Sequence, residues 1–504
     1  MIRGAPPERP TSRATKGLRW TLFGTFATFV AQLAYTAVMS RLLTPGDFGL
    51  LALALFVLRF VSHFAQGGLS SAIVQRPVLE ARDLRATFTL SITTGLAAYA
   101  VLWLLAPYAV TILGAQPGLT SVCRALGLTL VISALGSTAT GLLRRSMRYR
   151  TIALIELGSY VAGYCGIGLM SALTGSGIWS LVYAAIGQSA LMTLGSYAFA
   201  RHDLRLLVAS VPMRKMSSFG AKVSLVGFLE FLTIGIDNLL VGRYAGIEAL
   251  GQYNRAILIA VLPLQQIATA VGKVLFPIFS RIQFDQERIR SAYLDSISMS
   301  TLLFLPMAAT IGASASNFVL VLLGGGWQVA AQLVPILAAA AALHVVVYFP
   351  ASMAEAIGKV PMKALIESAH LATLVLGAGF VVACDGGLLG LVTVVLVGRL
   401  LQHILYLVWM DRVIPRSLRQ VLKVYAQAVA VAVAVGLAVG GVGRVIGESA
   451  PTLVTLIAQV AIMGLAGVSV VLWGGCLDGI RVARERALIP TSLVIRTRKA
   501  ATCE

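Results

Sequence analysis

The sequence predicts an all-α, polytopic membrane protein of about fourteen transmembrane helices. Three observations carry that prediction. Of the 504 residues, 58% are hydrophobic and only 12% charged, whereas soluble domains carry about 25% charged residues. Apolar runs of about 20 residues recur along nearly the whole chain, each long enough to cross ~30 Å of hydrocarbon. The basic residues between those runs alternate in number from one connection to the next. The runs are continuous rather than alternating, which excludes a transmembrane β-barrel. No hydrophilic stretch is long enough for a separate soluble domain.

The elements follow in order. Residues 1–16 are rich in Pro, Arg, Ser and Thr and read as a disordered cytoplasmic tail. No small-residue cleavage site follows the first apolar run at the usual distance, so no signal peptide is predicted. Six spans are expected at 18–40, 49–74, 84–106, 120–143, 151–173 and 178–200. A polar linker, 201–217, leads to six more at 218–242, 251–280, 291–311, 329–352, 360–383 and 387–410. A last pair at 420–442 and 453–476 precedes a basic cytoplasmic tail, 479–504. Pro263, Pro277, Pro306 and Pro335 are expected to kink their helices.

With these spans, 31 of the 40 Lys and Arg residues fall on one side of the membrane. Only Arg41, Arg243 and Arg444 fall on the other, and six lie within or at the ends of spans. The positive-inside rule then puts both termini in the cytoplasm. The net charge of +20 is thereby explained as topology and contact with anionic lipids. No nucleic-acid partner is needed to account for it.

The stretch 218–281 organises the rest. It reads as two helices joined by the turn Arg243–Gly251, with Glu230, Asp237, Arg255 and Lys273 at membrane depth. Charges at that depth usually face a bundle interior or a wet cavity. The stretch 16–75 has the same shape: at an offset of 202 residues, Arg41 falls on Arg243 and Gly49 on Gly251. Similar hairpins opening two halves indicate an internal repeat.

The outer loops are short and offer as acids only Asp47, Glu248, Asp385 and Glu448, no two close in sequence. That argues against an enzyme acting outside the cytoplasm. No GxxxxGK[ST] stretch occurs, so no nucleotide hydrolysis is expected. The five cysteines have no metal-ligand spacing and read as small apolar residues. No metal site is expected.

Ser40-Arg-Leu-Leu-Thr-Pro-Gly-Asp-Phe-Gly-Leu50 resembles the first outer turn of bacterial polysaccharide flippases. Gln66–Gln75 resembles the inner end of the helix that follows. Asp237–Gly246, Leu250–Ala256 and Phe276–Arg281 resemble the corresponding second-half motifs. The chain is thus similar, over about residues 15–410, to the polysaccharide transporter branch of the multidrug/oligosaccharidyl-lipid/polysaccharide exporter superfamily. The resemblance implies two pseudo-symmetric six-helix lobes (17–200 and 218–410) around a central cavity, with two extra C-terminal helices (411–478). It implies translocation of a polyprenyl-pyrophosphate-linked oligosaccharide by alternating access in the bacterial inner membrane. Proton or sodium coupling, and glycosyltransferase and polymerase partners of the same pathway, are further implied.

A diphosphate moving through the membrane interior requires cations in a cavity, where a low dielectric strengthens the pairing. Arg59, about nine residues or roughly 14 Å into the second span, is a candidate for such contact. The alternative for it is a structural ion pair with Glu156 or an acid of the second half. Arg255, Lys273 and Arg399 are the other candidate cavity cations, Lys273 as a contact near the cytoplasmic end. Snorkelling to the interface is the alternative for Arg255, and snorkelling is expected for Arg124 and Lys222. Glu230 and Asp237, with Thr233 and Asn238 near the same face, are candidates for ion coupling or for helix-pairing salt bridges. His344, His370 and His403 are intramembrane, with His370 three residues after Glu367; no cluster is visible, and each reads as a packing residue. Two rival functions remain: a cation-coupled small-molecule or drug antiporter of the same fold, and a membrane polysaccharide polymerase. The scarcity of intramembrane acids and the short outer loops weigh against them respectively.

Overall fold

A computed structural model describes residues 10–65, 73, 79–113, 118–207, 235–269, 285–415, 417–447 and 450–473. Among these the secondary structure is helical throughout, with no strand. Among the described residues, eleven helices are long and apolar enough to cross a membrane. The chain divides into two units, Met1–Gly251 and Gln252–Glu504.

The first unit contains α1 (Pro10–Leu42), α2 (Pro45–Ala65), α3 (Ala81–Leu113), α4 (Leu119–Arg145), α5 (Tyr149–Leu173) and α6 (Ile178–Phe199). Helix α1 packs on α5, α5 on α6, α6 on α4, and α4 on α2 and α3. The α1–α2 turn is closed by chemistry legible in the sequence. The Asp47 carboxylate accepts from the Thr44 amide (3.0 Å) and hydroxyl (2.7 Å), while the Asp47 amide donates to Thr44 Oγ1. Pro45 occupies the first helical position, where its missing N–H costs nothing. The middle of α5, Val161–Gly168, is wound as a π-helix.

The segment 201–207, the start of the expected linker, is tied to the first unit. Arg85 Nε donates to the Arg205 carbonyl (3.2 Å) and lies 3.7 Å from the Asp203 carboxylate. The Leu207 amide donates to Thr89 Oγ1 (2.8 Å). The His202 ring sits edge-on to Phe88 and Tyr197, with centroids 5.2 and 5.5 Å away.

Helix α7 (Ile247–Ala260) runs from the end of the first unit into the second. The second unit continues with α8 (Gln286–Ala313), α9 (Ala315–Leu322), α10 (Gln328–Ala356), α11 (Val360–Ala383), α12 (Gly387–Val413), α13 (Leu418–Gly447) and α14 (Thr452–Trp473). Helix α8 is flanked by α10 and α13; α12 joins α10 to α11, and α14 packs on α13. One core cluster of this unit gathers Tyr293, Val346, Met353, Tyr406, Met410 and Val421. Its outer surface carries Leu376, Phe380 and Leu437, at 73%, 70% and 72% exposed, as a lipid-facing wall requires.

Several sequence-based boundaries are corrected. The second span opens at Pro45, because the Thr44–Asp47 cap starts the helix there. Pro107, expected in an outer loop, lies inside α3, which continues to Leu113. The outer connection expected at 312–328 holds the short helix α9 and a 3-10 turn at Gly325–Trp327. Pro306 lies inside α8, and Thr310 Oγ1 donates to its carbonyl (2.9 Å). A one-residue turn at Val261 separates α7 from the helical stretch that begins at Leu262, just before Pro263, in keeping with the expected break at that proline. Pro277 lies outside the described residues.

Candidate functional site

Arg59 is an exposed position of α2. Among the described residues it forms no ion pair; its charge acts on the Tyr164 phenol of α5. The Glu156 carboxylate, its suggested partner, is acted on by Arg144 instead. Tyr164 stacks on Tyr160 (centroids 4.7 Å apart, 17° between planes), and Tyr35 of α1 lies edge-on to both. Tyr160 and Tyr35 are 6% and 7% exposed. This aromatic block joins α1 to the π-helical part of α5 and leaves the Arg59 guanidinium on its margin. Arg124 is held at its span end, 3.8 Å above the Trp103 ring.

Asp237 and Asn238 are engaged with each other: Asp237 Oδ1 accepts from the Asn238 amide (2.7 Å) and from its Nδ2 (3.0 Å). Arg255 is half-buried on α7. Glu230, Thr233, Lys222 and Lys273 lie outside the described residues.

The densest polar group is in the second unit, where α10, α11 and α12 meet. Arg399 Nη1 of α12 donates to Gln402 Oε1 (3.0 Å), and Gln402 Nε2 donates to Glu367 Oε1 of α11 (2.9 Å). A neutral amide thus relays between a cation and an anion on neighbouring helices. His344 of α10 and His370 of α11 both lie within electrostatic reach of Arg399. His370 is fully buried, as is Tyr406. His403 turns away, and its Nε2 meets the Tyr425 hydroxyl of α13 at 2.5 Å. Lys363 pairs with Glu355 at the end of α10. Among the described residues no group of three or more His, Cys, Asp or Glu side chains is arranged to hold a metal.

Sequence reasoning singled out Arg399 but took Glu367 and the histidines separately, and it passed over Gln402. The usable signal was spacing. Glu367 and His370 are three residues apart, as are Arg399 and Gln402, so each pair shares one helical face. That the two faces oppose each other is tertiary information.

Half-buried guanidinium and carboxylate groups and a buried imidazole inside long apolar helices define a class: a multi-pass helical membrane protein that carries charged groups within its helix bundle. The comparisons refine this. Residues 38–332, more than half of the chain, match the family described as polysaccharide biosynthesis protein, and the chain belongs to that family. It is 30% identical over 325 residues to the succinoglycan biosynthesis transport protein ExoT of Rhizobium meliloti (strain 1021), an alignment covering 64% of this chain and 65% of ExoT. It is 24% identical over 333 residues to the lipopolysaccharide biosynthesis protein WzxC of Escherichia coli (strain K12), again 64% of this chain and 65% of the relative. The chain therefore spans just under two thirds of the length of these relatives. Among solved structures it resembles the lipid II flippase MurJ in an inward closed conformation, with TM-score 0.68 at 12% identity over 89% of this chain and 98% of that one. It also resembles an inward-facing multidrug resistance MATE transporter, with TM-score 0.58 at 17% identity over 79% and 95%. These two likenesses show the fold.

Proposed function

We propose that this protein is a flippase that carries a polyprenyl-pyrophosphate-linked oligosaccharide from the cytoplasmic to the outer leaflet of the bacterial inner membrane, for surface polysaccharide assembly. The observation that carries the reading is the Arg399 guanidinium, held within an apolar helix by the Gln402 amide. A cation at that depth costs several kcal/mol if idle, and a diphosphate is an anion whose crossing it would ease. Family membership and the printed roles of ExoT and WzxC support the same reading. Arg59 and Arg255 are the further cavity cations of the proposal, and both termini face the cytoplasm on the 31-to-3 distribution of basic residues. Glycosyltransferases and a polymerase of the same pathway would supply and consume the cargo.

The test is the leaflet distribution of the labelled lipid-linked glycan in cells lacking the protein. Accumulation on the cytoplasmic leaflet, rescued by the wild type and not by Arg399→Gln, is the expected result. Normal delivery to the outer leaflet with defective chain growth would sink the flippase and favour a polymerase.

A further inference from the structure

His370 is unusual for a packing residue. Its side chain is fully buried, and neither ring nitrogen makes a hydrogen bond of standard geometry, although the Gly398 backbone lies close enough to act on the ring. His344 Nδ1 is likewise buried and unpartnered. An unmet buried polar group costs about 1–3 kcal/mol, so a side chain kept only to fill space would be apolar. The His370 ring lies against Gly398: a Cβ there would stand 3.1 Å from its Cε1 and Nδ1. The sequence thus keeps a space beside Arg399 for an imidazole.

The groups around that ring come from three helices. Glu367 lies one turn back on α11, His344 approaches from α10, and α12 contributes Arg399 and its partner Gln402, with Tyr406 within electrostatic reach of Glu367. Glu355 of α10, which also acts on Tyr406, is paired with Lys363. With neutral imidazoles, Arg399 and Glu367 cancel. A proton added to His370 would put a second positive charge beside Arg399 in a medium that screens poorly. An anion on Arg399 reverses that balance, because it attracts both cations.

We propose that His370 is a proton-binding site linked to an anion site at Arg399: a diphosphate bound by Arg399 is accompanied by a proton taken up on His370. The proton comes from water and adds to a ring nitrogen; no other bond changes. Its role is charge compensation, lowering the net charge of the loaded site inside the membrane. By reciprocity, a lower pH tightens anion binding by the same factor by which the anion tightens proton binding. The identity of the anion rests on the flippase reading; the link between the two sites does not.

The full chain in lipid nanodiscs tests this with two probes, polyprenyl pyrophosphate and inorganic pyrophosphate. Calorimetric titration near pH 7, in two buffers of different ionisation heat, counts protons. The expected result is uptake of about one proton per anion bound beyond the exchange of the probe's own phosphate proton, which titrates near pH 7, with affinity rising by up to about tenfold per pH unit of acidification from that uptake. In His370→Gln that uptake disappears, leaving the proton exchange and pH dependence of the probe alone. In His403→Gln, whose ring is bonded to Tyr425 and outside the cluster, uptake persists. Nitrogen-15 histidine spectra of the wild type, with and without pyrophosphate, read the His370 ring directly should His370→Gln fail to fold. Uptake unchanged in His370→Gln, no uptake in the wild type, no binding of either probe, or a His370 spectrum indifferent to pyrophosphate each overturns the proposal. Binding of inorganic pyrophosphate alone, with the proton, upholds the linked site and counts against the lipid cargo.

Discussion

Gly49 and Gly251 meet backbone to backbone where the first turns of α2 and α7 cross within the first unit. A Cβ on Gly49 would lie 1.9 Å from the Ile247 carbonyl oxygen, and one on Gly251 would lie 1.9 Å from the Pro45 carbonyl oxygen. Each glycine meets the carbonyl four residues before the other, so the 202-residue offset relates both halves of the contact. No side chain can give way there, since both partners are main chain. Gly49→Ala and Gly251→Ala are each expected to destabilise the protein by about 2–3 kcal/mol through overpacking. Gly440, where a Cβ would meet nothing within 4 Å, is the control: its replacement by Ala is expected to be neutral or stabilising by up to about 1 kcal/mol. Thermal denaturation of the detergent-purified variants checks all three, and equal melting temperatures at Gly49 and Gly440 would refute the contact.

Arg399 binds Gln402 through a directed N–H, and a planar guanidinium can present two parallel donors to one anion. Lysine keeps the charge but loses the fork. Arg399→Lys is expected to reduce surface glycan by about tenfold, equivalent to about 1.4 kcal/mol in the rate-limiting barrier, and Arg399→Gln by more. Glycan yield normalised to membrane-inserted protein is the measurement. Wild-type yield in both variants would remove Arg399 from the transport path.

His202 lies outside the spans, between Phe88 and Tyr197. Burial pushes its imidazole below the ordinary value, while the Asp203 carbonyl and carboxylate oppose the shift. The folded form therefore binds a proton less readily than the unfolded one. Its contribution is complete above the usual imidazole value near pH 6.5 and is lost as pH falls through that value toward the lower folded one. Hydrogen exchange of residues 201–207 is expected to accelerate between pH 7.5 and 5.5, after correction for intrinsic rates. His202→Phe should abolish that difference; equal protection at both pH values in the wild type would contradict the assignment.

The helices were legible because hydropathy is a local property and a run of some twenty apolar residues has few alternatives. The α1–α2 turn was legible for the same reason: Thr44, Pro45 and Asp47 act on their own backbone. The pairing of Gly49 with Gly251 could be suspected from equal offsets, but their contact could not. Helix α9 was missed because an eight-residue apolar stretch, Ala315–Leu322, reads equally well as a loop. The Glu367–Gln402–Arg399 relay was hidden for a different reason. Its two halves lie 35 residues apart, and only the packing of α11 on α12 makes them neighbours. A polar side chain on an apolar helix announces that it has a partner, not which one.

Gln459 shows the same rule at the C-terminal pair. Its Oε1 accepts from Asn317 Nδ2 of α9 (3.0 Å), and its Nε2 donates to the Val439 carbonyl of α13 (3.2 Å). One side chain, 1% exposed, therefore ties three helices. Gln459→Leu fills similar volume but strands the Asn317 amide and removes a donor from Val439. Hydrogen bonds between membrane helices average about 0.6 kcal/mol, so loss of both is expected to cost about 1 kcal/mol. Asn317→Leu alone should cost about half as much. The double variant should then cost little more than Gln459→Leu, because residues sharing one network do not add. Thermal denaturation of the two single variants and the double variant closes the cycle. Additive losses would mean that the two amides act independently, and the link across α9, α13 and α14 would fall.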